Sequence, residues 1–277
     1  MGFALMAACV KAVGGFGIPV LEIVAARALV SLGLSYLDVK RKQLSVWGNN
    51  KSLLAARGIA GTLALICIYY SVTTLTLADA IVLQYTYPAF TVVLALFFLN
   101  ERVRAATVVC ILLSFLGVVM MVRPFAEGQL INLPSLSLLA ALVGAFGSAA
   151  AYVMVRKLSQ TEDSSVIIFY FPLIALPVSL LLLGNNFVIP DAKAVALLLL
   201  VGVFTQVGQI GLTKAMAIET AAKASAYGYF QVVFSALLGF IFFAEIPTLW
   251  TLLGGGLIIA GALVNTFWTG NRAARSS

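Results

Sequence analysis

The segment Asp79–Glu101, DAIVLQYTYPAFTVVLALFFLNE, decides the fold. At about 1.5 Å per helical residue it is long enough to cross about 30 Å of hydrocarbon. A related string, KASAYGYFQVVFSALLGFIFFAE, occupies Lys223–Glu245. Aligned end to end, the two are identical at Ala80/Ala224, Tyr85/Tyr229, Phe90/Phe234, Leu94/Leu238, Phe98/Phe242 and Glu101/Glu245. The same register continues through Gly117/Gly261, so the repeat extends into the following apolar segment.

The rest of the 277-residue chain agrees with a membrane reading. It is 62% hydrophobic and only 10% charged, with a mean hydropathy of +1.08. Soluble domains are about half apolar and about a quarter charged. Ten apolar segments follow one another: 1–14, 18–37, 55–76, 79–99, 105–122, 135–155, 165–183, 192–213, 221–243 and 249–268. They are uniformly apolar rather than alternating. In lipid each backbone amide must find its partner within its own segment, which selects helices over barrel strands. The first segment is short, so the first helix is expected to be incomplete at its start, and no basic stretch of the kind that opens a cleavable signal precedes it.

Ten spans with a repeat of five force one consequence. An odd number of crossings makes the second copy enter the membrane from the opposite side. The sequence therefore predicts an all-α polytopic membrane protein of ten transmembrane helices in two inverted five-helix repeats, residues 1–125 and 135–270. The basic residues fit this. With the N-terminus cytoplasmic, 13 of the 17 Lys and Arg fall in inner loops or the tail, Arg57 among them, and only Lys11, Arg123 and Lys193 fall outside. Arg102 and Arg104 on the inside have uncharged repeat counterparts, Ile246 and Thr248, on the outside. Inner-membrane location with both termini cytoplasmic is the expected topology.

Several chemistries are excluded at this level. There is no histidine, so no His-based proton relay, metal site or nucleophile pair. Cys9, Cys67 and Cys110 lie singly inside apolar segments and read as small buried hydrophobes. No nucleotide-binding GxxxxGK[ST] string is present. The sequence calls for no cofactor, and the net charge of +7 reads as basic loops rather than nucleic-acid binding.

The two helix–Glu units PAFTVVLALFFLNE and VVFSALLGFIFFAE are each followed by a helix with glycine in its second half, LLSFLGVV and LIIAGAL. With ALMAACVK in the first span and EIVAARALV in the second, they make the chain resemble the EamA-type carriers of the drug/metabolite transporter superfamily. The resemblance implies ten helices, two repeats and a central substrate cavity open to one side at a time. The string LADAIVLQYTYPAF looks closest to the branch that includes S-adenosylmethionine carriers. The substrate class so implied is an amino acid or related metabolite, moved by alternating access.

Polar residues at mid-depth are the candidate cavity lining. Gln84, Tyr87, Pro88 and Thr91 share one helical face of the fourth span, and Pro88 is positioned to kink it. Tyr227 and Gln231 do the same on the ninth, Gln206 and Gln209 on the eighth, and Tyr69 on the third. Such groups avoid lipid, so they face either neighbouring helices or water. Arg27, about ten residues into the second span, needs a partner or a wet cavity. It serves either a structural charge network with Glu22 and Lys11 or a substrate anion. Glu101 and Glu245 read as structural corners that cap the following helix. Gly144, Gly147, Gly255 and Gly256 read as close-packing positions. The expected partners are a small-molecule substrate and the bilayer, and a homodimer is a compatible assembly. A membrane-embedded enzyme and a non-transporting scaffold or channel are the competing classes; the first lacks clustered carboxylates, and the second has no use for the polar stripes or the repeat.

Overall fold

Uniformly apolar segments have one stable backbone solution in lipid, and a computed structural model of the chain is helical accordingly. The structure describes residues 1–75, 77–122, 134–244 and 246–273, and no strand occurs among them. In chain order the helices are α1 (Gly2–Gly14), α2 (Val20–Arg41), α3 (Lys51–Thr74), α4 (Leu77–Gln84), α5 (Tyr87–Phe98), α6 (Ala105–Val122), α7 (Ser135–Leu158), α8 (Ser164–Leu183), α9 (Ala192–Ile218), α10 (Ala221–Ala226), α11 (Phe230–Phe243) and α12 (Leu249–Ala273). Among the described residues, eight stretches, counting α4–α5 and α10–α11 as one each, are long and apolar enough to cross a membrane. Gly2–Gly14 and Leu249–Asn265 are shorter apolar helices. The chain is a multi-pass membrane protein.

Two of the ten expected apolar segments are broken. The fourth divides at Tyr85–Thr86, one residue ahead of the Tyr87–Pro88 start of α5, and Pro88 lacks the amide proton that would continue the ladder. The ninth divides at Tyr227–Tyr229, a single 3-10 turn containing Gly228.

The chain forms two compact units. One comprises Met1–Thr62 and Met154–Ile218, the other Leu63–Val153 and Glu219–Ser277. In the first, α2 lies against α8 and α9, and α1 against α9. The α2–α8 pair runs antiparallel: Lys42 reaches Asp163 at 3.0 Å, Arg27 lies over Phe171, and the Glu22 carboxylate accepts from the Val188 amide at 3.0 Å. Asp163 caps α8 by accepting from the Ser165 amide at 2.8 Å. Burial raises its pKa, but the Ser165 amide and hydroxyl and the Lys42 ammonium together outweigh that and hold its carboxyl below the usual range.

In the second unit, α6 lies along α12 and α5 against α10. Both pairs are antiparallel. Thr107 bonds Asn265 at 3.1 Å, while a Cβ on Gly117 would sit 2.5 Å from the Gly254 carbonyl. Glu101 accepts from the Ala221 amide at 2.8 Å, while Tyr87 reaches the Ser225 carbonyl at 3.4 Å. Glu101 therefore caps α10, which opens the ninth apolar segment. Glu245 lies outside the described residues.

Glycines set the closest approaches, though not all of those expected. A side chain at Gly144 would meet Ile68 and the Ala64 carbonyl. Gly255 and Gly256 face open space, and the α6–α12 contact is made by Gly117, Gly254 and Gly261 instead. Each residue turns the face by about 100°, which carries Gly255 out of the contact and Gly256 to the exposed side of the helix.

Contacts within each unit recur at the spacing of the sequence repeat, 144 residues. Gly58 packs on Ile174, and Val30, 144 before Ile174, packs on Gly202, 144 after Gly58. Gly117 packs on Gly254, and Cys110 on Gly261, by the same rule.

Candidate substrate site

Each unit holds a polar cluster of its own. In the first unit Arg27, on α2, lies 5.8 Å from the centroid of Phe171 and 3.9 Å from the Met6 sulfur. Arg57, on α3, lies 4.8 Å from the same ring, and its guanidinium donates to the Gln209 side chain at 3.5 Å. Arg57 is only 3% exposed. It is therefore not a loop cation, as the charge count assumed, but a second buried guanidinium sharing Phe171 with Arg27. Glu22, five residues before Arg27 and at a poor helical angle to it, accepts from the Val188 amide. The intramembrane cation at Arg27 thus meets a sulfur and an aromatic face, groups that stabilise it without neutralising it.

Gln206 behaves differently from Gln209. Its carbonyl accepts from the Ser31 hydroxyl at 2.6 Å, its amide donates to the Ser35 hydroxyl at 2.9 Å, and it is buried. Both ends of the amide are committed to tying α9 to α2.

In the second unit the two helix breaks meet. Interrupting a helix strands carbonyls that lipid cannot satisfy, so neighbouring side chains must do so. The Tyr229 hydroxyl donates to the Tyr85 carbonyl at 2.8 Å, and the two rings stack with centroids 5.6 Å apart. The Tyr87 hydroxyl points to the Ser225 carbonyl over Gly228, where any side chain would collide with it. Tyr152, on α7, closes edge-on to Tyr87 at 5.3 Å. Tyr227 stacks on Phe230 at 6.5 Å. Gln84 and Gln231 are half-buried, one at the end of α4 and the other in the first turn of α11. Thr91 is fully buried and donates back to the Tyr87 carbonyl at 2.9 Å, so its hydroxyl serves its own helix. The side chain of Tyr69 falls outside those the structure describes.

Sequence reasoning thus missed Arg57, Tyr85, Tyr152, Tyr229 and Phe171. For Tyr85 and Tyr229 a signal existed, because they are among the six identities of the opening alignment. Phe171 is the residue 144 positions after Arg27, and Tyr229 stands 144 after Tyr85, so in each unit a residue touches its own repeat counterpart. Among the described residues no cluster of His, Cys, Asp and Glu is disposed to hold a metal.

The family model described as the EamA-like transporter family matches residues 1–123 and 135–267. The pseudopaline exporter CntI of Pseudomonas aeruginosa is 32% identical over 262 residues, 94% of this chain and 90% of that protein. An S-adenosylmethionine uptake transporter of Rickettsia felis is 27% identical over 194 residues, 70% of this chain and 64% of that protein. A solved crystal structure at 18% identity superposes with a TM-score of 0.83, covering 96% of this chain and 95% of the other, which fixes the fold. This chain belongs to the EamA-like transporter family and is a secondary transporter of small metabolites, not an enzyme.

Proposed function

We propose that the protein is an alternating-access carrier for a small polar metabolite bearing a carboxylate, an amino acid or related compound, with S-adenosylmethionine within that class. It comprises ten membrane-spanning segments in two inverted repeats, residues 1–125 and 135–270, with both termini at the cytoplasmic face of the inner membrane. The observation that carries this reading is the pair of corresponding breaks in the fourth and ninth spans. Interrupted helices at matching positions of two halves are the usual mark of a transporter binding site, because unwound backbone supplies polar groups at mid-depth. Antiparallel packing of α2 on α8 and of α6 on α12 supports the inversion, since each pair consists of repeat counterparts. With Arg57 buried, 12 basic residues rather than 13 remain to set the orientation, and the inside bias persists.

The proposed substrate groups are Gln84, Tyr87, Tyr69, Tyr227 and Gln231, with Arg27 and Gln209. Gln206 and Thr91 hold these groups in place. Arg27 attracts the substrate carboxylate. The names of the relatives direct the first assays to pseudopaline and S-adenosylmethionine. Purified protein in proteoliposomes preloaded with unlabelled substrate should accumulate labelled substrate by counterflow. Uptake that does not respond to internal substrate would rule out a carrier.

A further inference from the structure

We propose a second ligand site in this protein, a cleft at the α5–α6 and α9–α10 corners that holds the headgroup of an anionic phospholipid. The cleft encloses about 700 Å³, and its lining includes Arg102, Arg104, Thr107, Glu219, Thr220 and Lys223. All of these belong to one compact unit. The single lining carboxylate, Glu219, is engaged by Lys223 at 2.6 Å. Glu101, adjacent in sequence, is committed to the Ala221 amide. Arg102 and Arg104 are exposed, and no ion pair among the described residues engages either of them. The cleft is thus a concave basic surface at the end of membrane-spanning helices. Basic pockets between transmembrane helices are suited to acidic headgroups.

The face of α6 below the cleft selects a lipid over a soluble phosphate. Arg104, Val108, Leu112 and Leu116 recur every fourth residue and form one stripe. Val108 is 41% exposed, Leu112 64% and Leu116 50%. From Arg104 to Leu116 the stripe runs about 18 Å, close to the roughly 15 Å depth of one leaflet. A phosphate held by the two guanidiniums would lay its acyl chain along these three side chains, and arginine's planar fork suits a phosphodiester.

The test uses the full chain in nonionic detergent, titrated with phosphatidylglycerol, phosphatidylcholine or inorganic phosphate, with bound lipid counted by native mass spectrometry. Phosphatidylglycerol should be retained and phosphatidylcholine should not, and millimolar inorganic phosphate should displace little. Each basic residue near an anionic surface is worth about fivefold in affinity, so Arg104→Gln should lose about fivefold and Arg102→Gln/Arg104→Gln about 25-fold. The matched control Lys40→Gln/Arg41→Gln removes the same charge from the end of α2 and should stay within twofold. The site is overturned if the cleft variants bind as the parent does, if the control loses as much, or if inorganic phosphate competes as well as the lipid.

Discussion

Replacing Arg27 by glutamine separates a substrate-binding cation from a structural one, because the two roles move stability and transport in opposite senses. In the folded protein the guanidinium makes a contact of 5.8 Å to the Phe171 ring and one of 3.9 Å to the Met6 sulfur. Losing a cation–π contact costs about 0.5–2 kcal/mol. Removing a charge from the middle of a span relieves about 2.5–3.5 kcal/mol. The thermal midpoint of Arg27→Gln should therefore hold or rise. Transport should suffer, since a hydrogen bond to a charged group is worth about 1.5–3 kcal/mol, or roughly 10- to 150-fold in affinity. Counterflow in proteoliposomes over a range of substrate concentrations should show KM raised by that factor for a carboxylate substrate. The corresponding amide should be insensitive to the change. Arg27→Lys should fall between, keeping the charge without the fork. An unchanged KM together with a lowered thermal midpoint would make Arg27 a structural charge and refute the reasoning.

The remaining predictions concern packing and the loop corner. Gly117→Ala should destabilise the protein by about 1–3 kcal/mol, because its Cβ would press on the Gly254 carbonyl and Ile258, whereas Gly255→Ala should stabilise it by about 0.5–1 kcal/mol. Thermal unfolding in detergent compares the two, and equal effects would contradict the α6–α12 packing. Gln206→Leu removes two interhelical hydrogen bonds worth about 0.6 kcal/mol each; it should lower stability by about 1 kcal/mol and leave KM within twofold, and a tenfold change in KM would return Gln206 to the substrate. Asp163 titrates below the usual carboxylate range in the folded state, so its contribution is full above about pH 4 and is lost as pH falls through the folded value. Asp163→Asn should therefore lower stability at neutral pH and remove part of the acid sensitivity below pH 4, and an unchanged acid limb would deny the linkage.

Much of the architecture was legible because lipid leaves so few options. An unbroken apolar run has to be a helix, so segment positions followed from hydropathy, and the repeat was visible in six identities. The break in the fourth span was announced by Pro88. Its counterpart was not, because the ninth span carries only Gly228 there, and glycine in a membrane helix has many uses. Arg57 was hidden by the logic that found the orientation. A charge count assigns any cation near a helix start to the loop, and burial is decided by Phe171 and Gln209, more than a hundred residues away. Gln206 looked like a cavity residue because its type fits both roles. Only Ser31 and Ser35, 175 and 171 residues distant, commit its amide. Spacing identifies a helix face, but which face meets a neighbour is settled by tertiary contacts, as Gly254 and Gly255 illustrate.

Inversion of the two repeats is tested most directly at one pair of counterpart positions. In a background with Cys9, Cys67 and Cys110 replaced by serine, Arg102→Cys and Ile246→Cys each place a single thiol at an exposed site. A membrane-impermeant maleimide added to intact cells should label Ile246→Cys and leave Arg102→Cys unreacted until the cells are opened. Labelling of both from the same side would contradict the inverted arrangement and the carrier mechanism built on it.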